Sequence, residues 1–243
     1  MIQVMPLSKG TVTSVSDQGK RARNEDALFT GEVGRYLICA VADGLGGHAA
    51  GDVASTTAIR ILTETLKESL PHPDPAALLT IGFRRANAGI CRYNQENGLN
   101  AGTTLTAALI DEERLCRIAT VGDSRAYIAT GDAIWHTKDH SYVQELVDAG
   151  VINAREAIGH PKKNILTQAL GLAETVSVDT YEKDLRNATL LLSTDGLHDY
   201  IPEERIRKIL LSGDPREACR QLVAAAIAGT SSDNITAIIA RFC

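Results

Sequence analysis

Residues 36–45 read YLICAVADGL, in which seven consecutive strand-forming residues run straight into Asp43 and Gly44. A short apolar run closed by a turn signal reads as a buried strand. A charge at its exit, followed by a residue with no side chain to shield it, needs a physical reason. Other parts of the chain repeat the pattern.

β-rich runs recur at 11–16, 27–30, 36–42, 103–110, 114–121, 125–129, 133–136, 175–181, 189–193 and 234–242. Many are joined by tight turns, among them Gly131-Asp132 and the DEER stretch at 111–114, so the sheets are expected to be mostly antiparallel. Helices intervene between groups of strands. Within 51–70, Ala54, Ala58, Ile61, Leu62 and Leu66 share one helical face. Asp74-Pro75 and Asp214-Pro215 each place a capping side chain before a proline suited to the first helical position, opening helices over roughly 75–97 and 215–229. A further helix is expected over 142–149. Strand groups separated by paired helices imply an α+β layered domain, with helices outside one or two antiparallel sheets. Residues 150–166 lack clear periodicity and are expected to form a mobile surface loop.

A chain of 243 residues, 44% hydrophobic, can bury one sizeable core, and a single domain over 1–243 is expected. Its net charge of −5 argues against nucleic acid and anionic membrane surfaces as partners, since both call for an excess of Lys and Arg. The five cysteines, Cys39, Cys91, Cys116, Cys219 and Cys243, are odd in number and scattered without a C-x-x-C pair. They suggest neither a disulfide framework nor a thiolate zinc site and read as reduced core residues. With no basic-then-apolar start and no run of apolar residues long enough to span a bilayer, a soluble cytoplasmic protein is expected.

Asp195 closes TLLLSTD and Asp123 closes CRIATVGD, while Asp26 precedes ALFT and Asp233 precedes NITAIIARF. In an antiparallel sheet the exit of one strand lies beside the entrance of its neighbour, so these four and Asp43 can share one rim. Taken singly, each is more commonly a turn residue. As a set they are not, because two carboxylates about 4 Å apart repel by roughly 4 kcal/mol at an effective dielectric of 20. Such a cluster needs protonation or a bound cation, and at neutral pH a cation is the simpler answer. Gly44, lacking Cβ, lets its carbonyl approach such an ion. Carboxylates and carbonyls without a Cys or His cluster suit Mg²⁺ or Mn²⁺, and a pair of such ions can ionise a water for attack on phosphorus. Arg21, in DQGKRARNEDA, is a candidate phosphate clamp; its alternative is a solvated charge beside Lys20 and Arg23.

Eight segments in order resemble the metal-dependent serine/threonine protein phosphatases of the protein phosphatase 2C type, the PPM family. They are RARNEDA (21–27), VADGLGGH (41–48), GTTLTAALI (102–110), VGDSRAYI (121–128), DHSYVQELVDAG (139–150), LTQALG (166–171), STDGLHD (193–199) and SSDNITAIIAR (231–241). The resemblance implies a four-layer α-β-β-α sandwich with two antiparallel sheets flanked by helices, in a free-standing bacterial catalytic domain. It implies a dinuclear Mn²⁺ or Mg²⁺ centre, with a third, weaker ion, that hydrolyses phosphoserine and phosphothreonine on the protein substrates of a kinase. By that resemblance Asp43 bridges two metals and Asp195 and Asp233 complete the first site. Glu25 and the Gly44 carbonyl serve the second, Asp26 hydrogen-bonds metal-bound water, Asp123 helps hold the third ion, and Arg21 clamps the phosphate. Residues 150–166 become a flap.

Two positions depart from the pattern. Leu45 stands where some relatives carry a histidine proposed to protonate the leaving alkoxide, and that role is not transferred to His48. Gln168 stands where many have arginine. His136, His140, His160 and His198 lack a joint metal spacing and are expected at the surface or in hydrogen bonds. Ser124 and Ser193 have no partnered base legible in the sequence, so no covalent serine mechanism is expected. Two other readings stay open: a partner-switching phosphatase acting on one regulatory phosphoserine protein, against which Arg21 leans, and a non-catalytic phosphoprotein-binding module of the same fold. Metal-dependent turnover of a phosphothreonine peptide separates the second from an enzyme.

Overall fold

The computed structural model describes residues 2–7, 10–45 and 50–242, so His48 and Cys243 lie outside the described residues. In chain order the elements are β1 (Ile2–Leu7), β2 (Gly10–Asp17), β3 (Asp26–Val33), β4 (Tyr36–Leu45), α1 (Gly51–Ser69), α2 (Pro75–Asn97), β5 (Gly102–Thr103), β6 (Leu105–Ile110) and β7 (Leu115–Val121). There follow β8 (Arg125–Ala129), β9 (Ile134–His136), α3 (Tyr142–Asp148), α4 (Ala154–Ile158), β10 (Asp179–Asp184), β11 (Thr189–Ser193), α5 (Asp195–His198), α6 (Glu203–Leu211), α7 (Pro215–Ala228) and β12 (Ile235–Phe242).

β4 explains the layering. Leu37, Cys39 and Val41 on one of its faces join a core shared with Ile118, Leu190, Leu192 and Ile238, which lies between the sheets. Ile38, Ala40 and Ala42 on the other face pack against Leu62 and Leu66 of α1 and Phe83 of α2. A strand buried on both faces has no polar side to alternate with, hence the unbroken apolar run. One sheet runs β10-β7-β6-β4-β3 with β5 on β4, the other β1-β2-β12-β11-β8-β9, and every pairing is antiparallel. Leu191, Ile235 and Ile239 turn outward from the second sheet onto α5, α6 and α7, through Leu197, Ile206 and Leu222. The four-layer α-β-β-α sandwich is therefore present.

The capping signals act as their chemistry requires. Asp74 accepts the N–H of Ala77 at 2.9 Å and Asp214 that of Arg216 at 3.0 Å, each with proline opening the helix. Four local readings need correction. The strand expected at 175–181 pairs only from Asp179 to Asp184, a charged edge strand on β7, while Val176 and Val178 pack against the core without pairing. Residues 150–166 contain α4, opened by an Asn153–Glu156 capping box. Cys91 is only partly buried, unlike Cys39, Cys116 and Cys219. β1 and α6 were not expected, although Ile206, Ile209 and Leu210, the buried face of α6, carry the helical spacing in the sequence. Among the described residues no helix is long and apolar enough to cross a membrane.

Candidate active site

The antiparallel registers bring strand exits and entrances to one end of the sandwich. Asp26 opens β3 directly opposite Asp43 near the end of β4. Asp123 follows β7, Asp195 follows β11, and Asp233 lies just before β12. The two sheets meet here through side chains: Thr194, just past β11, donates to the Asp26 Oδ2 at 3.0 Å. Arg21 donates from Nη2 to the Asp233 Oδ2 at 2.7 Å while its side chain stays 55% exposed.

Asp43 is held by its backbone. Its N–H donates to the Thr104 Oγ1 at 2.9 Å, and its carbonyl accepts from the Thr103 hydroxyl at 2.8 Å and the Thr104 N–H at 2.9 Å. The sequence motif GTTLTAALI contains these threonines, but only the fold reveals that they fix the end of β4. Thr194 and the half-buried ion pair of Arg125 with Asp139, at 2.7 and 2.6 Å, were likewise not singled out.

Burial and mutual repulsion dominate the electrostatics. Burial first, then Asp26, Asp195 and Asp123, hold the Asp43 carboxyl well above the usual carboxylate range. Asp123 is raised well above it by burial and by Asp195, Asp139 and Asp199. Burial, Asp199 and Asp233 push Asp195 up to about 6. Asp26 is pushed up to about 7 by burial, against the opposing hydrogen bonds of Thr236 and Thr194. Four carboxyls that resist ionisation together are the electrostatic signature of a cation site.

Two further observations test whether divalent ions fit. The Asp26 Oδ1 and Asp195 Oδ1 are buried without a hydrogen-bond partner, each an acceptor with a lone pair to offer. A Cβ on Gly51 would lie 3.0 Å from both the Glu25 carboxyl carbon and the Gly44 carbonyl oxygen, so those two donors sit together in a hollow that a larger residue would fill. Among the described residues no three His, Cys, Asp or Glu side chains already close into a metal cage. The fit rests instead on the unsatisfied oxygens and the raised carboxyls, an all-oxygen set suited to Mg²⁺ or Mn²⁺.

Among the described residues the histidines take no part in this set. His198 is buried and takes the hydrogen-bonding role rather than the surface one, its Nδ1 lying 3.0 Å from the Ser193 Oγ. Both residues are buried, so the pair offers no accessible nucleophile. Gln168 accepts the N–H of Ser177 at 3.3 Å and so bears on the chain beyond the flap rather than on the rim. From Asp123 a cleft of about 540 Å³ opens between α3–α4 and the turn after α5, crossed by the Lys163–Asp199 ion pair at 2.8 Å. A smaller hollow of about 230 Å³, lined by Arg35, Arg114 and Phe242, lies at the other ends of the same strands, away from the carboxylates.

Metal-assisted hydrolysis of a phosphoester is the chemistry this rim suits, since oxygen donors for hard cations and a guanidinium for phosphate stand side by side. The chain matches the family described as Protein phosphatase 2C over residues 15–225. It is 38% identical over 235 residues to the serine/threonine phosphatase stp of Listeria innocua, covering 92% of each chain. The crystal structure of the serine/threonine phosphatase Stp1 from Staphylococcus aureus superposes with a TM-score of 0.90 at 34% identity, over 96% of this chain and 94% of that one. The catalytic domain of the serine/threonine protein phosphatase PstP, in complex with two manganese ions, superposes with a TM-score of 0.82 at 32% identity, over 99% of each chain. The chain belongs to the protein phosphatase 2C family.

Proposed function

We propose that this chain is a phosphoserine/phosphothreonine protein phosphatase with a dinuclear Mn²⁺ or Mg²⁺ centre at the carboxylate rim. The carrying observation is the gathering of strand ends from both sheets at one rim, where Thr194, just past β11, donates to Asp26, which stands opposite Asp43 in the other sheet. The names of the Listeria and Staphylococcus relatives and the two manganese ions of the PstP structure support the same reading.

Asp43, Asp195 and Asp233 would hold one ion, and Asp43 with Glu25 and the Gly44 carbonyl would hold the other. Asp26 would hydrogen-bond water held by the ions, and Asp123 would help hold a third, weaker ion. When bound, the ions lower the pKa of water and neutralise charge on the phosphoryl group. Arg21 holds the phosphate: its exposed guanidinium already lies against Asp233 and can turn paired N–H groups to two phosphate oxygens. Leu45 has no ionisable proton to give, so the leaving oxygen takes none from that position. Residues 1–243 act as one catalytic domain with 150–166 as a flap, in the cytoplasm, on proteins phosphorylated by a serine/threonine kinase. Release of phosphate from a phosphothreonine peptide with Mn²⁺, abolished by a chelator, is the expected result. A folded, Mn²⁺-loaded protein that binds the peptide without turnover would make this a binding module instead.

A further inference from the structure

Asn234 follows Asp233 and is only 5% exposed. Its Oδ1 accepts the backbone N–H of Glu25 at 2.8 Å, and its Nδ2 donates to the carbonyls of Gln18 and Arg23, both at 2.9 Å. Only this orientation of the amide matches donors to acceptors. One buried side chain thus brackets the segment from 18 to 25, which carries Arg21 at its middle and Glu25 at its end.

Each bond continues into the active site. The Gln18 carbonyl also accepts the N–H of Arg21 at 3.3 Å, and the Gln18 side chain donates to the Arg21 carbonyl at 2.8 Å, so the turn held by Asn234 sets where Arg21 leaves the backbone. On the far side, the Glu25 carbonyl accepts from the Gly44 N–H at 3.2 Å and the Ser55 hydroxyl at 2.6 Å. The Glu25 peptide is therefore tied to β12 by Asn234 and to β4 and α1 by its own carbonyl. Asn234 has little room to shift, because a Cβ on Gly196 would overlap its carbonyl oxygen.

We propose that Asn234 is a positioning residue for hydrolysis, which through one amide holds both Arg21 and Glu25 in place relative to Asp233. This rests on the reading of Arg21 as phosphate clamp and Glu25 as metal ligand. A hydroxyl or a carboxylate cannot replace it, since the role needs one acceptor and two N–H donors at once.

The test uses the full chain, with Mn²⁺ affinity measured by calorimetry and competitive inhibition by inorganic phosphate measured in the hydrolysis of p-nitrophenyl phosphate. In Asn234→Ala both affinities fall, each by about 10-fold, the lower end for an outer partner of a metal site. Asn234→Asp keeps the acceptor for the Glu25 N–H but turns a carboxylate toward the Gln18 and Arg23 carbonyls. Phosphate affinity then falls by about 10-fold while Mn²⁺ affinity does not fall, a split that general loosening of the fold would not produce. Wild-type values in both variants, or an equal loss of both affinities in Asn234→Asp, overturn the proposal. So does loss of the native circular dichroism in both variants, which would assign Asn234 to the fold alone. Arg21→Ala in the same assay separates the two levels: unchanged phosphate inhibition there refutes the clamp itself, whereas a weakened clamp with unaffected Asn234 variants refutes only the positioning role.

Discussion

Asp26 and Asp43 stand directly opposite each other in the β3–β4 ladder. Like charges in that relationship destabilise a sheet, so the site accepts a cost in folding to gather anionic oxygen. Replacing Asp43 by Asn removes one charge without changing shape. Turnover is expected to fall by more than about 100-fold, beyond the range typical of outer-shell partners, while the chelated protein melts no lower than wild type. Wild-type activity in this variant would refute the metal-bridging role.

Arg21→Ala should act mainly on KM. A hydrogen bond to a charged partner contributes about 1.5–3 kcal/mol, which corresponds to a rise in KM of roughly 10- to 100-fold for a phosphothreonine peptide. Stability should change by less than about 1 kcal/mol, because the ion pair with Asp233 is largely exposed on the arginine side. Steady-state kinetics and a thermal melt check both parts.

The metal-free protein should lose stability as pH rises. Folding raises Asp195 to about 6 and Asp26 to about 7 from an ordinary 3.8, so the folded state binds more protons than the unfolded one. That stabilisation is complete below the ordinary value and is lost as pH passes through 6 to 7. Melts of chelated protein should therefore fall between pH 5 and 8, at about 2–4 °C per kcal/mol for a chain of this size. Mn²⁺ added at pH 8 should raise the melting temperature again, by binding the folded state. A flat profile with chelator would contradict the crowding of the four carboxyls.

Gly196→Ala is expected to destabilise by about 1–3 kcal/mol, the cost of overpacking, because the new Cβ would overlap the Asn234 carbonyl and press on the Asp233 Cβ. Activity should fall further than stability alone explains, since the displaced residue is Asp233. A denaturant melt beside a kinetic assay at a temperature where the variant is folded distinguishes the two effects.

Much of this was legible in one dimension because it depends on neighbours along the chain. Hydrophobic periodicity identified the buried face of α1 at Ala54, Ala58, Leu62 and Leu66, and the Asp-Pro pairs marked the starts of α2 and α7. The edges were less legible: β10 alternates exposed Thr180, Glu182 and Asp184 with half-buried Asp179, Tyr181 and Lys183, all polar or aromatic, and its pairing with β7 decides its bounds. β1 is likewise an edge strand, interrupted by a proline, and pairs only with β2.

The residues alone determined a β-rich layered chain with acidic side chains at strand ends, since strand propensity, turn chemistry and charge are local properties. Which ends meet was decided in three dimensions. Thr194 reaches Asp26 across two sheets, Asn234 reaches back more than two hundred positions to Gln18, and Thr103 and Thr104 lock the Asp43 peptide. Strand order and sheet packing set those distances, and they follow from how the whole core is buried rather than from any segment of it.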